Sequence, residues 1–259
     1  LKQDIAYQVK LGNGSWLVRQ AWADAGTWNM NDGSGGPHAQ KQIAHPGKDF
    51  NMLSRETNCV GCIPDPIITS LKQKYPGVSK ADIISFAGAV SISGMGGPTI
   101  RWRPGRNDAV DQLDAPFPDG VIPNGTANPD ILRYAFLNRM GFKNDRDIVA
   151  LLGAHNLGNC HLAVSGYAGP WTTTPNQLTN EYYTLLVQNF TFHTQIVSYK
   201  NTSRMQWIDN IGRMMLPSDM ALTQDSSFLS IVQQYATNKG QFFGDFATSF
   251  AHVLELGVS

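Results

Sequence analysis

The chain has 259 residues, of which 42% are hydrophobic and only 15% charged, against roughly 25% charged in an average soluble protein. Its 20 basic residues balance its 20 acidic ones, which leaves neither the basic footprint of a nucleic-acid binder nor any pull toward an anionic membrane. No run of about 18 apolar residues occurs, so no membrane span is predicted, and the length suits one large domain or two lobes sharing a core.

The opening Leu1-Lys2-Gln3-Asp4 is not a signal peptide, and the chain reads as a soluble, mature form whose leader is removed. Arg19, Trp22 and Ala23 stand at i, i+3 and i+4 of a helix that Gly26 closes, so they share a face. Asp24 lies about 140° round that helix from Arg19. Runs rich in Gly and Pro at Asp32 to Pro37, Gly94 to Pro98 and Pro116 to Pro129 read as loops. The last is taken as the boundary between an N-terminal lobe, 1–118, and a C-terminal lobe, 119–259. Cys59-Val60-Gly61-Cys62 with Cys160 gives an odd count and no disulfide framework, although a Cys59 to Cys62 bridge suits an oxidising compartment.

Ser79-Lys80-Ala81-Asp82 is a capping box ahead of an amphipathic helix carrying Ile83, Phe86, Ala87 and Val90. Asn144 caps a helix whose stripe of Ile148, Leu151, Leu152 and His155 runs at i, i+3, i+4 and i+7 before Gly158 stops it. That spacing turns His155 toward the interior. Two further amphipathic helices are marked by Phe228, Ile231, Val232 and Tyr235, and by Phe243, Phe246, Phe250 and Val253. The fold class is therefore mainly α, without internal repeats. Asn13, Asn124, Asn189 and Asn201 each open an Asn-x-Ser/Thr acceptor motif, and together they predict a secreted glycoprotein.

Arg19-Gln20-Ala21-Trp22-Ala23 and Gly153-Ala154-His155-Asn156-Leu157-Gly158 look like the distal and proximal helices of a haem peroxidase. Between and beyond them, in the same order, come Gly96-Gly97-Pro98, Arg103-Pro104-Gly105-Arg106-Asn107-Asp108, Gly169-Pro170-Trp171, Met215-Leu216-Pro217-Ser218-Asp219 and Phe242-Phe243-Gly244-Asp245-Phe246-Ala247. From about residue 15 to residue 257 the chain resembles the class I haem peroxidases, the group of cytochrome c peroxidase and ascorbate peroxidase. Ser165 to Trp171, Thr179-Asn180-Glu181-Tyr182-Tyr183 and Gln206-Trp207 look closest to cytochrome c peroxidase and its ascorbate-peroxidase hybrids, of which a secreted branch would suit the acceptor motifs.

The resemblance implies a two-lobed fold with one non-covalent haem b between a distal and a proximal lobe. It makes His155 the axial ligand of the iron and Asp219 the acceptor of the other ring N–H, a bond that raises ligand basicity. Trp171 would lie against His155 with its indole N–H on the same carboxylate, and His161 would contact a haem propionate. No histidine follows Cys62, which removes the covalent haem-attachment motif.

The departures concern catalysis. After Trp22 the family pattern carries the histidine that moves the proton of peroxide, and here that position is Ala23. Such a general acid–base group is worth about 10²–10⁴-fold. Arg19 could still stabilise developing negative charge. Asp24, His38 and His45 are the substitute bases to consider, and Asn58 resembles the asparagine that orients the missing histidine. Val164, seven before Trp171, stands where ascorbate peroxidases carry a substrate-binding arginine, which argues against ascorbate. A net charge of zero offers no acidic excess to dock a basic cytochrome c. Thr179 replaces the aspartate with which some relatives bind a cation.

The expected activity is a hydrogen-peroxide-dependent oxidoreductase with weakened or altered acid–base catalysis. Its partners are peroxide and an unidentified electron donor, with a protein partner open. Two alternatives stand beside it: a catalytically inactive pseudo-peroxidase acting as a haem-containing structural or interaction protein, and a haem-based ligand binder or sensor.

Overall fold

The computed structural model describes residues 1–39, 65–109, 122–188, 192–199 and 202–258. The 118/119 boundary, Cys59, Cys62, His45, Asn58, Asn189 and Asn201 lie outside the described residues. The N-terminal half consists of α1 (Lys2–Gln8), a π-helical turn (Val9–Asn13), α2 (Gly14–Ala25), α3 (Asp65–Lys74) and α4 (Lys80–Gly94). Gly12, at φ 90°, breaks the axis between α1 and α2, a left-handed conformation that glycine adopts without steric cost.

Ser79 caps α4 by accepting from the Asp82 N–H at 3.0 Å. Asp82 does not complete the expected capping box. Its carboxylate instead accepts from the Gly105 and Arg106 N–H groups and from the Arg106 guanidinium at 3.0 Å. Asp108 takes over the helix start, receiving the Lys80 and Ala81 N–H groups. The Arg103 to Asp108 motif is thus a structural clasp, and Arg106 Nε reaches the Leu254 carbonyl at 2.8 Å to fasten it to the C-terminus.

The expected amphipathic character of α4 is also corrected. Ala81, Ile83, Ile84, Ala87, Ala89, Val90 and Ile92 are all buried, which leaves this helix enclosed on nearly every side. Its partner is α2. A Cβ added at Gly88 would lie 2.5 Å from the Ala21 Cβ, so the two backbones approach as closely as small residues permit.

The C-terminal half holds α5 (Pro129–Arg133) with a π-helical turn (Tyr134–Arg139), α6 (Asp145–Leu152), a 3-10 turn (Gly153–Asn156), β1 (Asn159–Cys160), α7 (Leu162–Ser165), β2 (Gly169–Pro170) and α8 (Glu181–Val187). After these come β3 (His193–Tyr199), β4 (Thr202–Ile208), β5 (Met214–Met215), α9 (Pro217–Gln224), α10 (Ser226–Thr237) and α11 (Lys239–Leu254). Antiparallel β1 and β2 pair Cys160 with Gly169; β3, β4 and β5 form a second antiparallel sheet in which His193 faces Ile208 and Trp207 faces Met215. This hairpin was not anticipated. Gln206 clasps it to the loop before β2, accepting from the Ala168 N–H at 2.9 Å and donating to the Ala168 carbonyl at 2.8 Å. Helix α11 packs against α6 and also crosses to α2, so both halves share one mainly helical core.

Replacing Arg106 with methionine should destabilise the fold by about 3–5 kcal/mol, because Asp82 would keep a buried charge without its partner. Thermal unfolding checks this, and an unchanged midpoint would contradict the clasp.

Candidate functional site

Asn144 caps α6 as expected, accepting from the Arg146 and Asp147 N–H groups. The α-helix ends at Leu152, however, and the turn carrying His155 is the tighter 3-10 form. Position 153 has room only for glycine, since a Cβ there would collide with the Tyr183 hydroxyl and the Phe242 ring. Gly158, at φ 76°, stops the segment.

His155 Nδ1 lies 2.7 Å from Asp219 Oδ1. An ionised carboxylate only accepts, so Nδ1 donates to Asp219 and Nε2 is the nitrogen turned away from the carboxylate. Trp171 stacks on the His155 ring with centroids 4.5 Å apart and planes 14° from parallel, and its Nε1 donates to Asp219 Oδ2 at 2.7 Å. Tyr182, which sequence reasoning did not assign, donates its hydroxyl to Oδ1 at 2.7 Å, and the Leu216 N–H donates to Oδ2 at 2.7 Å. The carboxylate of Asp219, at the start of α9, is fully buried. Burial alone would raise its pKa, but the charge and hydrogen bond of His155, with the bonds from Leu216 and Tyr182, hold it below the usual range. Burial pushes the Tyr182 phenol well up, and the charge of Asp219 adds to the shift.

Arg19, Trp22 and Ala23 sit on α2, whose C-terminal end is fixed by buried Arg139 donating to the carbonyls of Gly26, Thr27 and Trp28. Burial brings the Arg139 guanidinium down to about 10, which still leaves it charged at neutral pH. Trp22 stacks on Phe136 at 5.5 Å. Arg19 lies over the Trp16 ring at 5.0 Å and donates to the Asn159 carbonyl at 3.3 Å, while Trp16 stacks on His161 at 5.2 Å. The first half of α2 therefore meets the chain just beyond His155. Trp16 could have been found from its spacing of three to Arg19.

Two of the candidate substitute bases, Asp24 and His38, meet backbone groups. Asp24 Oδ2 accepts from the Ala39 N–H at 3.0 Å, and Asp24 is buried. His38 Nδ1 lies 3.2 Å from the Asn107 carbonyl oxygen. Where a cation was doubted, Thr179 donates to Asn156 Oδ1, and Arg213 pairs with Glu181 and Asp209.

The peroxidase family profile matches residues 2–238. The chain belongs to the peroxidase family. Among its relatives, a Yarrowia lipolytica protein provisionally named a mitochondrial cytochrome c peroxidase is 39% identical over 246 residues, covering 95% of this chain and 82% of its own. The mitochondrial cytochrome c peroxidase of Cryptococcus neoformans is 38% identical over 250 residues, 93% of this chain and 61% of its own length. That of Candida glabrata is 36% identical over 260 residues, 100% of this chain and 69% of its own. This peroxidase is of class I, and its cofactor is one non-covalently bound haem.

The residues present fit that group. His155 Nε2 has no hydrogen bond among the described residues, on a side chain that is 33% exposed. His161 Nδ1 is buried without a hydrogen-bond partner among the described residues, and burial with the nearby charge of Arg19 lowers its pKa.

The relatives overturn the expectation of a secreted glycoprotein, because they are named mitochondrial. Two of the acceptor motifs have local structural uses. Asn124 Oδ1 accepts from the Thr126 N–H and hydroxyl in a tight turn, and Asn13 Nδ2 donates to Gln8 within the π-helical segment. A three-residue motif of common residues arises readily by chance.

Because Asp219 titrates below its unfolded value near 4, the stability it adds is complete above about pH 4 and is lost as pH falls through the folded value. Asp219→Asn should flatten that part of an acid-unfolding curve. An acid limb identical to that of the unaltered protein would contradict the assignment.

Proposed function

We propose that this chain is a slow haem-b peroxidase, reducing hydrogen peroxide with electrons from a protein donor of the cytochrome c kind. The reading is carried by the buried Asp219 carboxylate, which holds His155 and Trp171 in one stack. When bound, the haem supplies an iron that peroxide can oxidise by two electrons. His155 Nε2 would hold that iron, and His161, with its buried Nδ1, would hold a propionate. The bond from Nδ1 to Asp219 makes the imidazole a stronger donor and fixes its plane.

Trp171, in contact with His155 and bonded to the same anion, is placed to give up an electron, since a nearby negative charge favours its oxidised form. Arg19, steadied by Trp16 and by the Asn159 carbonyl, supplies a fixed positive charge for developing oxyanion character. Ala23 can neither take nor return a proton. The names of the relatives support cytochrome c as donor and a mitochondrial setting, and Val164 speaks against ascorbate.

A second reading, a pseudo-peroxidase that binds haem without turnover, draws support from one observation. Ala23 has no proton-transfer group, and Asp24 on the same helix is buried with Oδ2 accepting from the Ala39 N–H.

Ala23→His should raise the rate of the peroxide reaction by about 10²–10⁴-fold, read by rapid mixing at the haem absorption band. No gain would favour the pseudo-peroxidase. His155→Ala should lose the haem or change its spectrum, and an unaltered spectrum would remove His155 as the axial ligand.

A further inference from the structure

An unbroken file of aromatic rings leads from the Asp219 cluster to Tyr235 on α10. Tyr182 meets the His155 ring edge-on with centroids 6.1 Å apart. Tyr183 lies 5.1 Å from Tyr182, and Tyr235 lies 5.1 Å from Tyr183, both again edge-on. All three tyrosines are fully buried. Electron transfer through protein weakens steeply with distance, so a succession of contact steps outruns a single long one. The neighbouring Phe242 packs on Tyr183 and Tyr235 but is far harder to oxidise than a phenol.

The three hydroxyls differ in where a proton could go. Tyr183 donates to the Val149 and Ala150 carbonyls, which are not bases. Tyr182 donates to Asp219, whose charge is already shared with His155 and Trp171. Tyr235 donates to Asp245 Oδ2 at 2.8 Å, a carboxylate that also receives Arg146 at 3.3 Å and whose side chain is 31% exposed. The file therefore ends at an oxidisable ring with its own proton acceptor at the protein edge.

We infer that Tyr182, Tyr183 and Tyr235 form an electron route through which an oxidising equivalent leaves the His155–Trp171 site and reaches Tyr235, buried beneath the partly exposed Asp245, where a small one-electron reductant lying against Asp245 quenches it across that contact. The route rests on the peroxidase reading above, with hydrogen peroxide as oxidant. Tyr235 loses one electron, which passes by way of Tyr183 and Tyr182 to oxidised Trp171. Its phenolic proton moves across the hydrogen bond to Asp245 Oδ2. The products are a neutral tyrosyl radical and a neutral carboxyl, so no unpaired charge is left in the interior. The reductant returns one electron to Tyr235, and Asp245 returns the proton.

The test is electron paramagnetic resonance on the haem-loaded chain carrying ring-deuterated tyrosine, freeze-quenched after mixing with peroxide. A tyrosyl signal is expected that is lost in Tyr235→Phe, in Tyr182→Phe, which breaks the file, and in Asp245→Asn, a partly exposed change that removes only the proton acceptor. A signal equally strong in all three variants would overturn the route. Ultraviolet irradiation of the same frozen holoprotein, which ionises tryptophan without peroxide, followed by stepwise warming, separates the two ideas. If peroxide leaves the haem spectrum unchanged, the peroxidase reading fails, yet the irradiated sample still decides the route. Radical collecting on Tyr235 upholds it, and radical indifferent to Tyr235→Phe rejects it. If the haem reacts and no radical reaches Tyr235, the route fails and the peroxidase reading stands.

Discussion

One carboxylate organises this protein. Asp219 has no contact with solvent and accepts from four donors, two on each oxygen, and the four come from four separate stretches of chain. An isolated carboxylate buried so completely would take up a proton rather than keep its charge. It stays ionised because the imidazole, indole, phenol and backbone N–H together replace the water it has lost. Each donor is fixed in turn by the geometry of the acceptor, so the ring planes of His155 and Trp171 have no freedom to drift apart.

The opposing wall is held by different means. Helix α2 is gripped at its C-terminus by a buried guanidinium and pressed along its length against α4, where Gly88 admits Ala21. The helix is thereby held at a fixed angle, and Ala23, on the same helix, is buried. The clamp from Arg139 and the seam with α4 fix where this helix lies, whatever side chain stands at position 23.

Much of this was legible from residues alone. The Asn144 cap, the stripe of Ile148, Leu151 and Leu152 and the stop at Gly158 are local signals, and local physics decided them, whereas the change to a 3-10 turn before His155 left no such signal. The meeting of His155, Asp219 and Trp171 was legible only through the order of motifs, because 64 residues separate His155 from Asp219. Tyr182 went unassigned for the same reason, since its bond to Asp219 spans 37 residues and leaves no periodic trace. The β3–β4 hairpin escaped because its strands mix polar and apolar residues without a clean alternation, and Ile196 and Met205 face solvent. Asp82 was misread because a capping box is a two-residue pattern, and the competing attraction of Arg106 lies outside it. Secretion was misread because an acceptor motif is also an ordinary turn, as Asn124 illustrates.

The close approach at Gly153 carries an evolutionary consequence. Tyr183 and Phe242 occupy the space a side chain at 153 would need, and the Tyr183 hydroxyl also ties up carbonyls of the preceding helix. No one of the three can enlarge alone, and shrinking either ring leaves a void beneath the turn that bears His155. The trio should therefore be inherited as a block. Drift at any member is epistatic on the other two, so this spot behind the histidine accepts change only in concert.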